Sequence, residues 1–148
     1  MKVVIDTNVL VAALRSRRGA AFQVLLALRE RRFEFVLSVP LFLEYEDVLK
    51  RPGMVPLSAE TIGRLLRLLA ARGQAQDIFF LWRPFLRDAK DDMVLEVAVA
   101  AEGCEAIMTF NRKDFVGVEQ FGLQVLTPVE LLAQLDIPPT NIKPTQDV

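Results

Sequence analysis

Hydrophobic residues fall into short blocks along the chain, spaced alternately as strands and as helices. Lys2-Val3-Val4-Ile5 is a β-branched run ending at an acidic residue, the pattern of a central strand. Asn8 offers a cap for the segment after it, and Ala20 to Arg29 reads as a helix with Phe22, Leu25, Leu26 and Leu28 as its apolar positions. Phe33 to Leu37 is a second strand. Ser38 offers an N-cap and Pro40 suits a first turn, which predicts a helix to about Lys50, ended by Arg51-Pro52-Gly53. Another helix is predicted from Ser58 to about Arg72, with Gly73 as its stop. Asp77 to Trp82 reads as a short strand before Pro84. A helix from about Asp91 to Glu102 ends at Gly103. Strands at Ala106 to Thr109 and Gln124 to Leu126 follow, then a last helix from Pro128 to about Leu135. Strands separated by helices imply an α/β fold with a mainly parallel sheet covered on both faces. In such sheets ligands collect at the carboxyl ends of the strands.

The chain has 148 residues and is 52% hydrophobic, enough for one sizeable core. Residues 1–136 are expected to form that domain. Residues 137–148, with Pro138, Pro139 and Pro144 among polar neighbours, read as a flexible tail. No apolar run approaches the roughly 20 residues of a membrane span. Asp6 comes too early for a secretory signal, and a single cysteine, Cys104, cannot form an internal disulfide. Together these place the protein in the cytoplasm.

Net charge is -1, so bulk electrostatics do not announce a nucleic-acid binder. The arginines are unevenly spread, however: Arg15, Arg17, Arg18, Arg29, Arg31 and Arg32 crowd the first quarter, either as solvated helix faces or as a cationic patch. The absence of histidine decides more. It excludes Ser/His/Asp and Cys/His triads and histidine metal ligands, and one cysteine leaves no zinc chemistry. Carboxylates must carry any catalysis.

Their positions are informative. Asp6 follows a strand directly, as a ligand or as the cap of the next turn. Glu44 lies beside the stripe formed by Leu41, Tyr45 and Val48, while Asp47 points away. A carboxylate there needs a partner, either a metal ion or an arginine. Asp88, Asp91 and Asp92 cluster where an almost wholly apolar helix starts, more acids than capping requires. Thr109, Asn111 and Asp114 follow a late strand. Converging carboxylates without histidine suit Mg2+ or Mn2+, hard ions that prefer oxygen ligands, and such sites hydrolyse phosphodiesters. An aspartyl-nucleophile phosphatase would need a second Asp two residues after the first, where this chain has Asn8.

Val4-Ile5-Asp6-Thr7-Asn8-Val9-Leu10 resembles the opening motif of PIN-domain nucleases. Leu43-Glu44-Tyr45-Glu46-Asp47-Val48-Leu49 resembles the second motif of a prokaryotic, VapC-like subgroup of toxins from toxin–antitoxin pairs. Asp91-Asp92, followed by Leu95, Ala98, Ala101 and Gly103, resembles the third. Thr109-Phe110-Asn111-Arg112-Lys113-Asp114-Phe115 resembles the fourth, and Val125-Leu126-Thr127-Pro128 the closing strand. The resemblance implies a three-layer α/β/α PIN-like fold with a mainly parallel five-stranded sheet, and a Mg2+- or Mn2+-dependent endoribonuclease. Carried over, Asp6, Glu44 and Asp92 match the acids of the first three motifs. In the fourth, either Asn111 is a neutral ligand or Asp114 substitutes as the acid. Thr7, Asn8 and Thr109 are positions that orient the carboxylates. Arg15 and Arg112 are candidate RNA contacts, or solvated surface residues. The resemblance also implies a small antitoxin protein as partner, and a homodimer. The alternative is a catalytically silent PIN-like module that binds RNA or protein.

Overall fold

The computed structural model describes residues 1–138. Its centre is a fully parallel sheet of β1 (Lys2–Ile5), β2 (Glu34–Leu37), β3 (Gly73–Ala75), β4 (Ala106–Met108) and β5 (Gln124–Leu126), in the order β3-β2-β1-β4-β5. Val3, Val4 and Ile5 are wholly buried, as expected for a strand with neighbours on both edges and helices on both faces. The helices are α1 (Thr7–Arg15), α2 (Ala20–Arg29), α3 (Val39–Leu49), α4 (Ala59–Arg72), α5 (Ala89–Ala100) and α6 (Pro128–Gln134). Helix α5 packs across β1, β2 and β4, which accounts for a sequence apolar on nearly every side. The fold is a three-layer α/β/α sandwich, and among the described residues no helix is long and apolar enough to cross a membrane.

Strand order reverses at β1. The chain runs outward through β2 and β3, then returns to place β4 on the other side of β1. The carboxyl ends of β1 and β4 therefore flank a crevice, the position where parallel sheets gather ligands.

Most predicted elements are present within two residues. Ser38 caps α3, its hydroxyl accepting the Leu41 N–H at 3.1 Å. Three expectations are corrected. Asn8 does not cap the first helix, because α1 begins at Thr7 with Asp6 in the cap position. The predicted strand from Asp77 to Trp82 is irregular, and Phe79 in it is 89% exposed. The fifth strand is instead Gly73–Ala75, which lacks any apolar pattern because it is an edge strand held by backbone pairing to β2. Gly73 is thus more than a helix stop. A Cβ there would lie 1.7 Å from Leu37 Cδ2 and 2.8 Å from the Leu69 carbonyl oxygen, which cannot swing away. Gly73→Ala is expected to cost about 1–3 kcal/mol in urea unfolding, by overpacking; an unchanged midpoint would contradict this close approach.

Of the expected tail, residues 139–148 lie outside the described residues. Ile137 is tied to the body, its N–H donating to the Leu132 carbonyl at 2.9 Å.

Candidate active site

Asp6 is nearly buried at the end of β1 and, although it holds the cap position, makes no side-chain capping bond. Its Oδ2 instead accepts the Thr109 hydroxyl at 2.8 Å. Thr109 follows β4, so this bond crosses the crevice between the two strands. Asn8 reinforces it. Its Nδ2 donates to Thr109 Oγ1 at 3.3 Å and its Oδ1 accepts the Phe110 N–H at 3.4 Å, while the Asn111 N–H also reaches Thr109 Oγ1 at 3.1 Å. Thr109 and Asn8 thus fix the Asp6 carboxylate and the β4 exit as one unit.

Helix α3 brings Glu44 to the same place. The buried Tyr45 hydroxyl donates to the Ile5 carbonyl, so neighbouring residues on two elements are joined and Glu44 is held towards Asp6. Burial and the Asp6 charge push the Tyr45 phenol well above its usual range. Glu44 has Lys90 Nζ 3.9 Å away.

Two further carboxylates complete the cluster. Asp6 is raised above the usual carboxylate range chiefly by burial, against the lowering effect of the Thr109 bond, with Asp114 and Glu44 adding repulsion. Asp91, in the first turn of α5, is pushed up to about 7 by burial and then by Asp6, Asp114, Asp88 and Asp92. Asp114 sits in a short 3-10 helix, Arg112–Phe115. Among the described residues no cationic side chain lies within ion-pair distance of Asp6, Asp91 or Asp114. Glu44 alone of the four acids is paired, with Lys90.

A family model described as PIN domain matches residues 2–113, about three quarters of the chain. The chain belongs to the PIN domain family. A similar solved structure is that of VapBC2 from Rickettsia felis bound to a DNA fragment from their promoter. It is 16% identical, with 86% of this chain and 98% of that one covered at a TM-score of 0.55, a likeness of fold. No curated protein matches the chain.

In this PIN domain Asp92 does not point where the motif suggests. It is 1% exposed, and its Oδ1 accepts the Leu86 N–H at 2.7 Å and the Phe85 N–H at 3.4 Å. One turn later Glu96, also buried, accepts the Trp82 N–H at 3.0 Å and Arg83 through Nε and Nη2 at 3.0 and 2.7 Å. The i, i+4 spacing of two acids on one helix was the available signal that this face binds a neighbouring segment. Asp88 is the N-cap, accepting the Lys90 N–H at 2.9 Å. That leaves Asp91 as the α5 acid coupled to Asp6 and Asp114.

Asn111 is exposed, while Asp114 is the acid of that segment felt by both Asp6 and Asp91. Thr7 starts α1 beside Asp6. Arg112 is engaged by Glu130, which also closes the capping box of α6 with Thr127. Arg15 donates through Nε to the Met54 carbonyl at 2.8 Å and pairs with none of the acids.

PIN domains imply a divalent ion. The donors here are all oxygens, and burial first, then repulsion from neighbouring acids, raises both Asp6 and Asp91, a cost that a bound hard cation relieves. Among the described residues no three acidic, cysteine or histidine side chains close into a cage.

Raised pKa values carry a sign. Between the ordinary value of 3.8 and about 7, the folded protein holds a proton on Asp91 that the unfolded chain releases. Stability of the metal-free protein therefore falls as pH rises across that window. Melting in EDTA is expected to drop from pH 5 to pH 7.5. Added Mn2+ should restore far more at pH 7.5 than at pH 5, and equal Mn2+ effects at both would remove Asp91 from the site.

Proposed function

We propose that this chain is a divalent-metal-dependent endoribonuclease, acting in the cytoplasm as the toxin of a toxin–antitoxin pair. The observation that carries the nuclease reading is the cluster of Asp6, Asp91 and Asp114 at the β1/β4 crevice, none of them paired with a cation among the described residues, with Glu44 beside Asp6 and paired only to Lys90. Asp91 takes the role that the motif resemblance gave to Asp92. A small antitoxin protein as partner is supported by the fold shared with the VapBC2 toxin–antitoxin structure.

Asp6, Glu44 and Asp91 would hold the Mg2+ or Mn2+ partly through water, with Asp114 alongside. The bound ion supplies Lewis acidity, a water of lowered pKa and positive charge opposite the phosphate. The Thr109 hydroxyl and the Asn8 carboxamide keep Asp6 oriented, and the Tyr45 bond keeps α3 from drifting off β1. Burial of Asp6 keeps bulk water from competing for its carboxylate.

The test is incubation of a labelled single-stranded RNA pool with the protein in Mn2+, Mg2+ or EDTA. Cleavage with metal and none in EDTA is expected. Asp91→Asn should lose about a hundredfold or more in Mn2+ affinity and cleavage, whereas Asp92→Asn, whose Oδ1 still accepts the Leu86 N–H, should keep both within a few-fold. The reverse order would return the role to Asp92. Metal binding without cleavage of any RNA would favour the silent binding module, the reading supported by the neutral Asn111.

A further inference from the structure

Beside the acids, α1 and α3 leave an open cleft of about 580 Å3, within the range of small-ligand sites. Its near end is Thr7 and Asn8, the residues that directly follow Asp6. Its walls are apolar, from Val11 and Ala12 of α1, Val48 of α3 and Met54. At its far end stands Arg15, exposed, its guanidinium pinned through Nε to the Met54 carbonyl and through Nη2 to Met54 Sδ at 3.5 Å. From Thr7 to Arg15 the helix rises about 12 Å.

The order along this cleft is acidic centre, apolar wall, fixed cation. A polymer that alternates flat apolar faces with negative charges matches that order. A duplex keeps its bases stacked inside, so a single strand is the form that can present one. We propose that the cleft is the subsite for a nucleotide next to the cleaved phosphate of single-stranded RNA. Its base lies against Val11, Ala12, Val48 and Met54, and Arg15 holds a phosphate further along the strand. This rests on the ribonuclease reading and adds where the strand runs. The fixed guanidinium costs little ordering on binding, because Met54 already holds it in place.

The experiment is fluorescence anisotropy of a labelled single-stranded RNA in EDTA, as a function of salt, with the full chain and two variants. Arg15→Gln is expected to weaken binding and to reduce the slope of log affinity against log salt by about 0.7, the loss of one phosphate contact. Ala12→Leu fills the cleft with a good helix former, and should weaken binding about tenfold with the salt slope unchanged. Both should melt near the parent and bind Mn2+ with the parent's affinity, since neither side chain touches the acids. Parent-like RNA binding and salt slope in both variants overturns the subsite, leaving the cleft to a protein segment, while the nuclease reading stands. A parent chain that binds Mn2+ but no RNA overturns both.

Discussion

Asp6→Asn is expected to abolish metal-dependent RNA cleavage, by about a thousandfold or more, in a protein that folds as well as its parent. Both halves follow from one environment. Asp6 is 8% exposed, its charge is disfavoured by burial, and Asp114 and Glu44 add repulsion. An amide relieves that repulsion, and its Oδ1 can still accept the Thr109 hydroxyl, so EDTA-treated Asp6→Asn should melt no lower than the parent at pH 7.5. The same change removes a hard anionic donor from the centre of the acidic cluster, where charge is what holds the ion and so stabilises the transition state. Timed gels with labelled RNA and a melting curve measure the two halves together. Parent-like cleavage by the variant would mean that the chemistry lies elsewhere. Loss of cleavage with a collapsed melting temperature would mean that Asp6 is structural.

Glu96→Ala should give the largest loss of stability. Glu96 is 2% exposed and accepts three hydrogen bonds, from the Trp82 N–H and from two nitrogens of Arg83. Removing one partner of a buried ion pair commonly costs about 3–5 kcal/mol. Arg83 is itself half exposed and can turn to water, which puts the expectation near the lower end, about 3 kcal/mol, or roughly 6–12 °C in melting temperature. The reason for so large an effect is the irregular stretch before α5. With no strand or helix of its own, it is held to α5 by Glu96 and, one turn earlier, by Asp92. Because Asp91 is on the same turn as Asp92, the loss should also lower Mn2+ affinity. Glu96→Ala melting like its parent would show that the clamp contributes little.

The parts of this fold that could be read from sequence are those where a local rule and tertiary packing agree. β1 is β-branched because both its faces are buried, and Ser38 caps because the next helix starts beside it. Where they disagree, the reading fails. β3 carries no hydrophobic pattern, since an edge strand is specified by backbone pairing and by the room that Gly73 leaves for Leu37. Phe79, Phe80 and Leu81 look like a strand and yet lie largely exposed. In the proposed site, the sequence placed Asp6 after a strand and Glu44 beside an apolar stripe, and the structure has them in those positions. Asp91 and Asp92 were not separable, because which of two adjacent acids faces the crevice depends on the segment that packs against α5. No local pattern in that segment announces the N–H groups of Phe85 and Leu86 that take up Asp92.

The place of β1 in the sheet has a consequence for how the molecule is born. β1 is synthesised before both of its neighbours and gains β2 once residue 37 has emerged. Its other edge stays open until β4, ending at residue 108, is made roughly 70 residues later, some 4–14 s of synthesis. Through that interval Val3, Val4 and Ile5 offer an apolar edge to any extended neighbour, the hazard that finished sheets cover. Asp6 meanwhile lacks Thr109, Asp91 and Asp114 are still to come or unplaced, and the acidic centre is incomplete. The strand that covers the open edge of β1 is thus the one whose exit also brings Thr109 to Asp6.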